Sequence, residues 1–166
     1  MTILVLISLA LVVVGVVLMS RGGLPESVSG MVFGLPAHKR WVWSAWLVAI
    51  AMTVMVPLMT ALGDAAWLGW LTVVGLAGAA VAPIINSDTL LLHDVCGVAA
   101  GVLSQVCVAC LCPWWLLTWL VWLPLLAGAM AALNDAKESP CLLGGHGVFA
   151  AELTCAVTLY GCLIFN

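Results

Sequence analysis

The sequence predicts an all-α fold, a polytopic transmembrane helical bundle with six spans in one domain over residues 1–166. Three observations carry that prediction. Hydrophobic residues make up 66% of the chain and charged residues 7%, with a mean hydropathy of +1.29. Soluble domains carry about 25% charged residues, so even the folded surface here has to be largely apolar, which lipid tolerates and water does not. The apolar residues also fall into runs of spanning length, separated by short connections rich in Gly, Pro and polar residues. A span takes roughly 20 residues, so six take about 120 and leave no room for a soluble domain. The lipid bilayer is therefore the expected partner. A net charge of -3, thinly spread, gives no footprint for nucleic acid.

The first run, residues 2–20, has no charge before Arg21. It lacks the basic start and small-residue cleavage site of a secretory signal, so a retained helix is expected. Residues 21–40 form a polar connection holding Arg21, Lys39 and Arg40, three of the four basic residues. Its apolar middle, 28–35, lies between Pro25 and Pro36 and is too short to span. An interfacial loop or short surface helix is expected there, with a re-entrant segment buried in protein as the alternative.

The second span, 41–62, opens on Trp41, Trp43 and Trp46, whose amphipathic rings suit the headgroup level. Pro57 is expected to kink it. A tight turn at Gly63-Asp64 leads to the third span, 67–85, in which Gly75, Gly78, Ala79 and Ala82 are small packing positions. The fourth span, 89–112, ends at the turn Cys112-Pro113. The fifth, 114–133, starts with Trp114 and Trp115 as belt residues, while Trp119 and Trp122 lie deeper. A polar loop, 134–144, precedes the sixth span, 145–164. With alternating sides, all four Lys and Arg residues fall on one face. The positive-inside rule then puts both termini outside the cytoplasm.

Ionisable side chains within spans are candidates for function, because lipid charges a few kcal/mol for each. Glu152 stands about two turns into the sixth span; His93 and Asp94 begin the fourth and His146 begins the sixth. The topology starts both spans at the same face, so these four are candidates for a proton or ion path. Imidazoles with carboxylates also bind transition metals, but no spaced metal motif is present, and neither a metal nor a cofactor is expected. The plainer reading has the histidines and Asp94 wet at the headgroup level and Glu152 neutral and bonded to a neighbouring helix.

Gly97 and Gly101 make a GxxxG match, and steps of 100° place His93, Gly97, Ala100, Ser104 and Cys107 on one face. Internal helix packing is the expected use, with pairing of two copies or a membrane partner as the alternative. Cys107 and Cys110 have the spacing of a thiol–disulfide centre near the oxidising side. Quinone-linked membrane oxidoreductases carry such a pair, together with a second one that exchanges with it. Cys112 and Cys162 are the only local candidates, and no arginine is nearby to hold a quinone. Packing is the expected role of the thiols, as for most cysteines in apolar runs.

Ser27-Val28-Ser29-Gly30-Met31-Val32 after the first span, the Trp41 to Trp46 cluster leading to Pro57, and Gly75 to Pro83 followed by His93 together carry a resemblance. The chain resembles small integral membrane proteins of Bacteroidales-type bacteria and their phages. More loosely, in layout, it is similar to six-helix membrane proteins of the DRAM-like kind. The resemblance covers about residues 20–110 and implies a bacterial cell-envelope setting, the inner membrane. It carries over no catalytic residue. Two classes of function stay open: a non-enzymatic membrane module for assembly, sensing or passage of a small solute or protons, and a membrane enzyme built on Cys107 and Cys110 or on the His/Glu group. The first is expected, because each enzymatic constellation lacks a required second part.

Overall fold

The computed structural model describes residues 2–19, 21, 27–85, 90–118, 120, 122–123 and 144–165. Among them there are helices and turns and no strand. Helix α1 spans Thr2–Met19, a short α2 spans Met31–Gly34, α3 spans Ala37–Leu62, α4 spans Ala66–Ile85, α5 spans Leu90–Leu111 and α6 spans Gly144–Phe165. Three helical stretches are long and apolar enough to cross a membrane: Ala37–Ile85, Leu91–Leu111 and Gly147–Phe165. The first of these doubles back at Gly63, where φ is +54°, a left-handed conformation that glycine adopts without a side-chain clash. It therefore comprises α3 and α4. The expected fifth span, 114–133, falls mostly outside the described residues. Its described beginning is a 3-10 turn, Trp115–Thr118.

The long helices form a closed ring: α1 on α3, α3 on α4, α4 on α5, α5 on α6, and α6 back on α1. Cross-helix pairs give their directions. Trp46 bonds Leu11 and Ser8 bonds Ile50, so α1 and α3 are antiparallel. Thr72 meets Cys107 while Ala79 meets His93, so α4 and α5 are antiparallel too. In contrast, Gly101 faces Cys155 and Gln105 faces Thr158, so α5 and α6 run parallel. The start of α1 and the end of α6 lie on the same face, with Ser8 against Tyr160.

The interior is mostly apolar, as in a soluble protein, but the exterior is apolar too and the interior holds several polar groups. Ser8, Thr72, His93, Ser104, Thr154 and Thr158 are buried, while Ile3, Val14, Met52, Val74, Val98 and Val157 are exposed. Lipid is as apolar as these outward side chains, so burying Leu58, Val54 or Leu159 gains little by transfer alone. Close packing and interhelical hydrogen bonds have to hold the ring together instead.

Glycines set the closest approaches. A Cβ on Gly15 of α1 would run into the Trp46 ring, which crosses α1 there and donates its Nε1–H to the Leu11 carbonyl at 2.9 Å. Between α4 and α5, a Cβ on Gly75 would meet Ala100 and the Cys96 carbonyl at 3.2 Å, and one on Gly78 the Cys96 sulfur at 2.8 Å.

Two elements differ from the sequence expectation. Helix α3 begins at Ala37 rather than near 41, because Pro36 fixes the residue before it and His38, Lys39 and Arg40 extend the first turn. Hydropathy does not register a polar first turn. The segment around α2 forms the expected short helix but does not lie loose on the surface: Val32 is fully buried, in one cluster with Trp43, Leu47, Ile50 and Ala80. The segment tucks into the end of the ring, where its apolar side chains find protein on several sides.

Candidate functional site

The turn after the first helix and the last helix meet at Glu152. Its Oε1 accepts the Ser29 N–H at 3.1 Å and its Oε2 the Val28 N–H at 2.5 Å. The Ser27 hydroxyl lies 3.0 and 3.1 Å from the two oxygens and donates to them. Ser27 Oγ in turn accepts the Gly30 N–H at 3.0 Å, which closes the turn on itself. Every partner of the carboxylate is a donor, so the arrangement suits the acceptor-only, ionised group. A small turn rich in Ser and Gly can do this because its backbone N–H groups are not used by a helix ladder. The result is a latch: one side chain of α6 fixes the start of the buried segment.

The other end of that segment meets His93. The Phe33 ring stands edge-on to the imidazole, with centroids 5.1 Å apart and an 86° interplanar angle. Trp43 of α3 flanks it at 6.3 Å. His93 is 1% exposed, and its Nδ1 lies 2.8 Å from the Ala79 carbonyl. A carbonyl only accepts, so Nδ1 carries a proton, and in the neutral tautomer this fixes, Nε2 presents a lone pair. That Nε2, Trp43 Nε1 and Ser44 Oγ are buried without hydrogen-bond partners among the described residues.

The four residues expected to approach one another are thus distributed as follows. Glu152 is bonded by the Ser27–Ser29 turn and His93 by Ala79. Asp94, the next residue on α5, is exposed. The His146 side chain lies outside the described residues. His93, Ala100, Ser104 and Cys107 of the predicted helix face are all buried. Within that face, a Cβ on Gly97 would meet nothing within 4 Å and one on Gly101 only the Cys155 sulfur at 3.7 Å, so the tight approach to α5 comes from the glycines of α4. Of the CxxC pair, Cys107 is fully buried beside the Thr72 hydroxyl at 3.5 Å, and Cys110 is exposed.

A second polar contact was not anticipated from sequence. Gln105 of α5 donates from Nε2 to Thr158 Oγ1 at 3.1 Å and accepts the Trp122 indole N–H at 3.1 Å through Oε1. One amide thereby ties α5, α6 and the chain at Trp122. An amide inside a span was itself the available signal, because a polar group in hydrocarbon requires a partner.

No protein-family model matches the chain, nor does any curated protein or solved structure.

Proposed function

We propose that the chain is a six-span, non-enzymatic membrane module, whose work is assembly or sensing rather than catalysis. The observation that carries this reading is the separate bonding of two ionisable groups within its helices, the half-buried Glu152 and the buried His93. Glu152 spends its acceptor capacity on the turn at 27–29, and His93 spends its ring N–H on Ala79. Acid–base chemistry needs such groups within reach of a common reacting atom.

The six-span form is supported by the parallel course of α5 and α6. A chain leaving α5 at one face and entering α6 at the other has to cross in between, and residues 112–143 are long enough for a span of roughly 20 residues. Arg21, Lys39 and Arg40 flank the end of α1 and the start of α3, on one face. By the positive-inside rule that face is cytoplasmic, which puts both termini outside, across a bacterial inner membrane. C-terminal reporter fusions test the topology: an extracytoplasmic reporter should be active and a cytoplasmic one silent, and the reverse would refute it.

Proteoliposomes carrying an internal pH dye test the function. The wild type should leak protons no faster than empty vesicles. A leak in the wild type that Glu152→Gln abolishes would replace this reading with a proton path through Glu152.

Membrane thiol–disulfide exchange is the second reading. One observation favours it: the Cys112 and Cys162 thiols lie side by side, near the end of α5 that carries Cys110. The burial of Cys107 weighs against it, since exchange needs an accessible thiolate. Trapping a mixed disulfide between Cys107 or Cys110 and a soluble thiol carrier would decide in its favour.

A further inference from the structure

His93 and Trp43 each present a ring nitrogen that the bundle encloses and leaves unbonded among the described residues, and the two rings are neighbours with centroids 6.3 Å apart. The nitrogens are chemically opposite. Nε2 of His93 is an acceptor, because Nδ1 is committed to Ala79, whereas the indole Nε1 can only donate. A donor and an acceptor on neighbouring rings are complemented by a group that does both, and a hydroxyl is the smallest such group. An anion would face a lone pair, a cation would face an N–H, and a hydrocarbon chain would leave both nitrogens unbonded. The depth also suits an amphiphile. His93 stands in the first turn of α5 and Trp43 in the second turn of α3, beside the exposed Trp41, at the level where aromatic rings meet headgroups.

We propose that His93 Nε2 and Trp43 Nε1–H form a binding site for one hydroxyl group, of a neutral lipid headgroup or of water, and that residues 27–35 are its lid. Phe33 is the part of the lid that lies against the imidazole. With the lid shut, two polar nitrogens are desolvated and unbonded, which favours opening. The Glu152 bonds to Ser27, Val28 and Ser29, and the burial of Val32, favour closing. The lid is short, and a single side chain of α6 fixes its start. Opening and closing therefore oppose each other across one small segment, and a hydroxyl that satisfies both nitrogens shifts the balance by its preference for the open form.

The test uses the full chain, labelled with 15N at His and Trp, in nanodiscs of phosphatidylcholine, which has no hydroxyl. Dioleoylglycerol is the neutral hydroxylated probe and trioleoylglycerol the control without a hydroxyl. His93→Gln and Trp43→Phe assign the signals. If the source is lipid, dioleoylglycerol shifts the His93 Nε2 and Trp43 Nε1–H resonances together and saturably, and trioleoylglycerol shifts neither. If the source is water, both nitrogens are already hydrogen-bonded before lipid is added, and the Trp43 N–H shows exchange with water. Phe33→Ala removes the covering ring without touching either nitrogen. It should lower the half-saturating lipid concentration, or speed the water exchange, several-fold. A proton on Nε2 rather than Nδ1 would overturn the proposal. So would two nitrogens that stay unbonded with both lipids and in Phe33→Ala.

Discussion

The carboxylate of Glu152 and the hydroxyl of Ser27 are hydrogen-bonded across 125 residues of sequence, with Ser27 shared between both oxygens at 3.0 and 3.1 Å. The last helix thereby holds the first loop. The pairing is asymmetric: all the donors are on the loop and all the acceptors on Glu152.

Glu152→Gln follows from that asymmetry. The amide keeps one acceptor oxygen and turns an NH₂ toward a backbone N–H, so a donor loses its partner. A loss of about 1–3 kcal/mol is expected, read as a lower thermal midpoint in detergent. A neutral acid merely bonded to a neighbouring helix would tolerate the same change, so an unchanged midpoint would show that the carboxylate form is not what the turn requires.

Ser27→Ala removes the shared hydroxyl and the acceptor for Gly30 N–H. A cost of roughly 1 kcal/mol is expected. Because the two residues share one network, the double variant Ser27→Ala with Glu152→Gln should lose less than the sum of the two single losses.

Gly15→Ala drives a methyl into the Trp46 ring and should cost about 1–3 kcal/mol by overpacking. In a Trp46→Leu background the same substitution should cost much less, because the flat ring that crosses α1 is gone. Comparing thermal midpoints of the four proteins separates this clash from a general effect on helix α1.

The two members of the CxxC pair should behave differently. Cys107 is buried at the α4–α5 contact beside Thr72, so Cys107→Ala leaves a small void and should cost about 1 kcal/mol. Cys110 is exposed, and Cys110→Ala should stay within about 0.5 kcal/mol of the parent. Equal losses would mean that the pair acts as a unit.

Much of the helical layout was legible in the sequence, because lipid enforces long apolar runs and Gly63-Asp64 interrupts them; the start of α3 just after Pro36 was not, since its first turn is polar. The 100° spacing that stacks His93, Gly97, Ala100, Ser104 and Cys107 made most of the inward face of α5 legible; Gly97 alone of the five is not buried. The partner of Glu152 was not legible. It is the Ser27 hydroxyl together with the backbone N–H groups of Val28 and Ser29, and no side-chain pattern announces a turn that has its amide protons free. The same holds for His93, whose partner is the Ala79 carbonyl. Gln105 was legible in principle and passed over, since a single amide among apolar residues has no periodicity to draw attention. The depth of the 28–35 segment was hidden for another reason: its hydrophobicity suits the bilayer surface and the bundle interior equally.

The contact between Ser8 and Tyr160 spans 152 residues and closes the ring, so it also sets an order of events during synthesis. At roughly 5–20 residues per second, Tyr160 is made about 8–30 s after Ser8. Until then the Ser8 hydroxyl has the Ile50 carbonyl of α3 to bond but not Tyr160, and the loop amides that await Glu152 have to be satisfied by lipid headgroups, water or the insertion machinery. A chain that stops short of α6 would pair α1 with α3 yet leave those loop amides open, and membrane quality control would have an unlatched first loop to recognise.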